Sequence, residues 1–141
     1  MIVILSLKKV GEKMQLEASS ISLCMIIKNE EKFLKNCLES VHNYVDQIIV
    51  VDTGSEDNSI NICENYGAEV FEVEWDNDFA KARNISIDKA RGDWILYLDA
   101  DEELPQKTAK SLHKLTNNRQ INGWLFTIVS PITADANSPV S

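Results

Sequence analysis

Two aspartates, Asp99 and Asp101, stand one residue apart directly after an uninterrupted apolar run, Trp94 to Leu98. A run this short reads as a strand buried on both faces, the kind found in parallel sheets covered by helices. Both carboxylates then fall just past the strand's carboxyl end, where open parallel sheets bind their ligands. In an extended chain residues i and i+2 point to the same side, so the pair can face one point. Two hard oxygen ligands there suit Mg²⁺ or Mn²⁺, above all a cation that also holds substrate phosphates. The bland alternative is an acidic turn capping the next helix. A calcium loop of the EF-hand kind is excluded, because its obligatory Gly and Glu would fall on Leu104 and Lys110. A phosphatase with an aspartyl nucleophile carries its Asp-x-Asp after the first strand, followed by Gly-Thr or a similar pair. Here the pair comes late and Glu102 and Glu103 follow it.

A second candidate is Asp52, which ends the apolar run Ile48 to Val51 and opens Asp-Thr-Gly-Ser. That tetrapeptide also spells the active-site loop of aspartic proteases. Such enzymes pair two loops on an almost all-β scaffold so that their aspartates share a proton. Here the loop leads into a helical pattern, which places the protease reading a distant third. No Gly-x-Gly-x-x-Gly and no Gly-Lys-Ser/Thr loop is present, so a nucleotide would be gripped by side chains and a metal without a glycine cradle. Cys24, Cys37 and Cys63 are far apart and each sits in an apolar pattern, which predicts buried reduced thiols. His42 and His113 have no Cys or His at zinc-ligand spacing.

The elements that must position these residues follow from periodicity. Ile21 to Ile27 is the first clear strand, with Lys28, Asn29 and Glu30 after it; Asn29 is placed as an N-cap and Glu30 and Glu31 in the first helical turn. Phe33, Leu34, Cys37, Leu38, Val41, Tyr44 and Val45 recur at helical spacing. Gln47 to Val51 is the second strand, Asp57 to Tyr66 a short helix, and Gly67 the residue that ends it. Val70 to Val73 is the third strand, and Phe79 to Arg91 a helix closed by Gly92. The Trp94 strand, a helix from Pro105 to about Asn117 and a fifth strand, Gly123 to Val129, complete the series. Strands alternating with helices predict an α/β, doubly wound, mostly parallel sheet with helices on both faces. Residues 1–20 form an unassigned arm or extra strand, and residues 130–141 a flexible tail.

Composition narrows the function. The chain has 141 residues, enough for one domain, with 14 basic against 22 acidic side chains and a net charge of −8. With no Lys/Arg cluster, nucleic acid is not an expected partner. No apolar run approaches the length of a membrane span, and the first residues lack the marks of a secretion signal. The expected location is the cytoplasm, including the inner face of its membrane.

Four segments together carry a resemblance. Ser22 to Glu31, Ile49 to Asp57, Trp75 to Asn84 (Trp-Asp-Asn-Asp-Phe-Ala-Lys-Ala-Arg-Asn) and Gly92 to Glu102 resemble, in order, the amino half of a family 2 glycosyltransferase of GT-A fold. The third segment is most similar to bacterial β-glucosyltransferase-type members. The resemblance covers Ser22 to Val129 and implies a Rossmann-like GT-A domain over residues 21–129, truncated relative to the family. It implies that Lys28 and Asn29 line a nucleotide pocket and that Asp52 accepts a hydrogen bond from the base, typically uracil. Arg83 and Asn84 would approach the base or diphosphate, with a solvated helix face as their alternative. Asp99 would hold the ribose side and metal-bound water, and Asp101 would ligate the divalent cation, Mg²⁺ or Mn²⁺.

The function so implied is transfer of a sugar from a nucleotide-diphosphate sugar, UDP-linked, to an unknown glycan, lipid or protein acceptor. Its alternative is a fragment that binds nucleotide and metal without turnover. No catalytic base is identified: family members supply a later Asp or Glu, and after Glu103 only Asp135 remains. The expectation is that the chain alone transfers sugar poorly, and that Trp124, Leu125 and Phe126 on strand five favour self-association.

Overall fold

A computed structural model of the chain describes residues 2–6, 19–117 and 123–126. Strands β1 (Ile2–Ser6), β2 (Ile21–Ile27), β3 (Gln47–Asp52), β4 (Glu69–Glu72), β5 (Trp94–Tyr97) and β6 (Gly123–Phe126) form one sheet. Helices α1 (Glu31–Val41), α2 (Ser59–Asn65), α3 (Phe79–Lys89) and α4 (Gln106–Thr116) connect them. The order across the sheet is β4-β3-β2-β5-β1-β6. β2 is parallel to both β3 and β5, and β3 is parallel to β4. β1 lies between β5 and β6 and is antiparallel to both. Within the amino-terminal arm, Ile2–Ser6 thus forms an extra strand.

Side-chain alternation explains why the strands read as continuous apolar runs. Ile21, Leu23, Met25 and Ile27 of β2, Ile48 and Val50 of β3, and Trp94 and Leu96 of β5 face one core. Leu34, Cys37, Leu38 and Val41 of α1, Cys63 of α2, and Ala109 and Leu112 of α4 close it. The intervening residues Cys24, Ile49 and Ile95 face the opposite side, with Ile87 of α3 packed against them. With helices on both faces, period two produces apolar residues at every position.

Two helix ends depart from or refine the expectation. α2 ends as expected: Gly67 has φ +76, its N–H donates to Glu64 O, and Ala68 N–H donates to Cys63 O. These paired bonds satisfy the last carbonyls and require a left-handed residue between them. α3 stops at Lys89, and Gly92 does not close it. A Cβ on Gly92 would lie 2.7 Å from both Ser22 N and Ser22 Oγ, so glycine there permits the backbone to pass against β2. The Gly92 N–H donates to that hydroxyl at 2.9 Å.

All three cysteines are free and buried. Burial pushes the Cys24 thiol up to about 11, and Cys37 and Cys63 to about 12. No helix among the described residues is long and apolar enough to cross a membrane. The side chains of Trp124, Leu125 and Phe126, and the tail at 130–141, lie outside the described residues.

Candidate functional site

Chain order sets the location. From β2 the chain steps to β3 and β4 on one side, while β5 lies on the other. The crevice between the carboxyl ends of β2 and β5 is therefore the topological switch point, where open α/β sheets bind ligands. Lys28 and Asn29 follow β2, Asp52 ends β3, and Asp99 and Asp101 follow β5.

The loops after β2 and β3 are stitched into one surface. Asn29 N–H donates to Ser55 Oγ at 2.9 Å, and its side-chain oxygen accepts from Glu56 N at 2.8 Å. Glu30 N–H donates to Ser59 Oγ, Glu31 N–H to Asp57 Oδ2, and Asn58 N–H to Glu31 Oε2. Asn29 adopts φ +52, which Asn tolerates better than most residues. It is not the N-cap expected of it: Glu30 occupies the cap position of α1, and Asn29 serves the inter-loop contact. Lys28 is exposed beside it.

Asp52 is 2% exposed. Its Oδ2 accepts from Gly54 N at 3.1 Å and Ser55 N at 2.9 Å, while its Oδ1 is buried with no hydrogen-bond partner. Leaving a buried acceptor unpaired costs about 1–3 kcal/mol, and more when it is charged. A bound donor would recover that loss.

Asp99 and Asp101 do not continue the strand. β5 ends at Tyr97, and Glu102 N–H donates to Asp99 O at 2.9 Å, closing a turn. The Glu102 carboxylate accepts from Asp99 N in return, at 3.1 Å. The two aspartates therefore stand on a turn, and the i, i+2 alternation expected of an extended chain does not apply. Both are exposed, while Ala100 between them is buried. Burial, then the charges of Glu102 and Asp101, push the Asp99 carboxyl above the usual range.

Glu30 joins this group, although its sequence position marks it only as part of a helix start. Burial, then Asp101, Asp57 and Asp99, raise its carboxyl. Acids from both lips of the crevice thus feel one another. Among the described residues no three potential ligands converge tightly enough to hold a metal unaided. That donor set suits a divalent cation completed by ligand oxygens, since Mg²⁺-type sites use one or two carboxylates plus substrate phosphates.

Arg83 and Asn84 lie on the exposed side of α3. The Arg83 guanidinium sits 5.4 Å from the centre of the Tyr97 ring, and its charge lowers the Asp99 carboxyl against the causes that raise it. Tyr97, unremarked in the sequence, is pushed up to about 12 by burial and Cys24, and its hydroxyl is buried without a partner.

The Trp75–Asn84 segment has a local structural role. Trp75 Nε1 donates to Asn77 Oδ1 at 3.1 Å, and its ring meets Phe79 edge-on at 4.7 Å. Asp78 caps α3 by accepting from Lys81 N, and Lys81 Nζ pairs with Asp76 at 2.6 Å. A cavity of about 210 Å³ lies here, lined by Val73, Trp75, Asp76, Lys81 and Ile85 among others. It is on the β4 side of the rim and does not include Asp99 or Asp101.

Comparison with known proteins adds four findings. The family model described as Glycosyl transferase family 2 matches residues 22–129. A TPR repeat-containing protein of Synechococcus elongatus is 50% identical over 123 residues, which is 87% of this chain and 30% of the relative. The SPbeta prophage-derived glycosyltransferase SunS of Bacillus subtilis is 38% identical over 87 residues, 60% of this chain and 21% of the relative. Among solved structures, glucosyl-3-phosphoglycerate synthase from Mycobacterium tuberculosis in complex with uridine-diphosphate superposes with a TM-score of 0.50 at 25% identity. That match covers 62% of this chain and 35% of the synthase. The chain spans 30% and 21% of the lengths of these two curated relatives.

Proposed function

The chain belongs to glycosyl transferase family 2, and on that premise we propose that its β2/β5 crevice binds the donor of a sugar transfer, a UDP-linked sugar, together with a divalent cation. The observation that carries the reading is the buried, partnerless Oδ1 of Asp52 on the same rim as the acidic turn. Uracil presents a ring N–H that such an oxygen can accept, and the solved relative in complex with UDP supports this choice of nucleotide.

The residues divide the work by chemistry. Asp52 holds the base. Lys28 and Asn29, on the stitched loops, line the nucleotide pocket. Arg83, backed by the Tyr97 ring, faces the negative charge of the diphosphate, with Asn84 beside it on α3. Asp101 and Asp99 hold the cation, Mg²⁺ or Mn²⁺. When bound, that ion supplies charge neutralisation for the departing nucleoside diphosphate. Orientation of the donor then falls to fixed groups: the Asp52 carboxylate on the base and the guanidinium on the phosphates. No catalytic base is assigned, and the acceptor belongs to the activity of the whole protein. The Asp-Thr-Gly-Ser loop sits on a parallel α/β sheet with its Oδ2 committed to Gly54 and Ser55, so a protease role has no support.

The test is calorimetric titration with UDP and with pyrophosphate, in Mn²⁺ and in chelator. Asp52→Asn is expected to weaken UDP by about 1.5–3 kcal/mol, the worth of a charge-assisted hydrogen bond, while pyrophosphate is little affected. Asp101→Ala is expected to remove the Mn²⁺ dependence of both ligands. Equal UDP binding by the unmodified chain in Mn²⁺ and in chelator would exclude the cation role. Equal losses for UDP and pyrophosphate in Asp52→Asn would move Asp52 away from the base.

A further inference from the structure

The acidic turn is held from behind by a single helix. The Cys37 thiol of α1 donates to the Asp99 carbonyl at 3.5 Å. Ser40, three residues further along α1, accepts from Leu104 N at 2.9 Å, while its own hydroxyl donates to the Cys37 carbonyl at 2.6 Å. One contact grips the first residue of the 99–104 segment and the other grips its last. Cys37 and Leu104 are both buried, so each contact has one partner shielded from water while Ser40 is half-buried and Asp99 exposed.

We propose that Cys37 and Ser40 are positioning residues for the cation-binding turn, fixing where Asp99 and Asp101 stand without touching the ligand. This rests on the reading of that turn given above. Asp99, Asp101 and Glu102 are like charges crowded into four residues, and a turn with loose ends would splay to relieve them. Two carboxylates serve a small divalent ion only if their separation is held, because such ions demand near-ideal geometry. Residues that hold ligands from behind matter accordingly, and losing one typically costs about 10–100-fold in metal affinity. The same helix is tied at its amino end to the loop after β3, through Glu30 N and Glu31 N. α1 therefore sets the register between the acidic turn and the Asp52 side of the crevice.

The experiment measures Mn²⁺ affinity in saturating UDP and, separately, uridine affinity in chelator. Uridine carries the base without phosphates, so it reports the Asp52 side alone. Cys37→Ala and Ser40→Ala are expected to weaken Mn²⁺ about 10-fold or more, with uridine affinity unchanged. Ser40→Thr keeps a hydroxyl that can bond a carbonyl one turn back, and is expected to restore Mn²⁺ affinity. Val41→Ala, buried on the same helix but away from the turn, is expected to lower the thermal midpoint while Mn²⁺ affinity stays intact. The inference is overturned if Cys37→Ala and Ser40→Ala bind Mn²⁺ as the unmodified chain does. It is equally overturned if Mn²⁺ and uridine weaken together in proportion to lost stability. If the unmodified chain binds UDP equally with and without Mn²⁺, the reading of the turn fails and this inference falls with it.

Discussion

At the scale of residues, the rim carries a cost that its ligand would relieve. Burial and neighbouring charge raise the carboxyls of Asp99 and Glu30, so the folded chain holds those protons to higher pH than the unfolded chain. Their contribution to stability is full below the ordinary carboxylate range and is lost as pH rises through the raised folded values. At neutral pH and without a cation the acids therefore work against the fold. Asp99→Asn is expected to raise the thermal midpoint of the cation-free chain at neutral pH, with the gain vanishing at acid pH where the aspartate is protonated. The effect is modest because Asp99 is exposed and solvent screens it. Paired thermal scans at the two pH values check this, and a lower midpoint for the variant at neutral pH would refute it. Asp52 and Asp99 stand out in the sequence because each ends an apolar run, and Asp101 because it follows Asp99 at a spacing of two. Glu30, Tyr97, Cys37 and Ser40 could not, because their relevant neighbours lie far along the chain: Asp101 for Glu30, Arg83 for Tyr97, and Asp99 and Leu104 for the α1 pair.

At the scale of elements, the crossing of Gly92 over β2 leaves no room for a side chain. A methyl group there would stand 2.7 Å from Ser22 N, a backbone atom held in β2, which has parallel partners on both sides. Gly92→Ala is expected to destabilise by about 1–3 kcal/mol, the usual penalty of overpacking. Urea unfolding measures it, and a loss below about 0.5 kcal/mol, typical of a neutral surface change, would mean that the strand yields. Most elements could be read beforehand because burial on both faces leaves unbroken apolar runs and periodic helices. β1 could not: Ile2 to Leu5 is a short apolar run, and nothing near it in sequence signals its partners. α3 ends before the residue its sequence suggests, because Gly92 looks like a helix stop whereas its absent side chain serves packing against β2. The Asp-x-Asp pair follows β5 as its sequence predicts, but on a turn and not an extended backbone, since a turn closed by Glu102 leaves no mark in residue alternation.

At the scale of the whole molecule, one continuous sheet seals all three thiols between its faces and their helices. A thiol reagent attacks the thiolate, and Cys24, Cys37 and Cys63 are both buried and raised well above their ordinary values. The native chain is expected to react with none of them, and all three are expected to react together on unfolding. One thiol titrating fast in native buffer would reveal a local opening at its helix. The seat of β1 has a different consequence, in the time domain. On the β4-β3-β2 side, neighbouring strands are also successive strands and close by short crossovers. β1 instead lies against residues of β5 synthesised about ninety positions later, and against β6 later still. At about 5–20 residues per second, a nascent chain would carry Ile2 and Ile4 for on the order of 5–20 s before β5 exists to receive them. These two side chains end fully buried, so of the described strands β1 has the longest wait in water between its synthesis and its pairing, and it is a segment a ribosome-associated chaperone would find exposed.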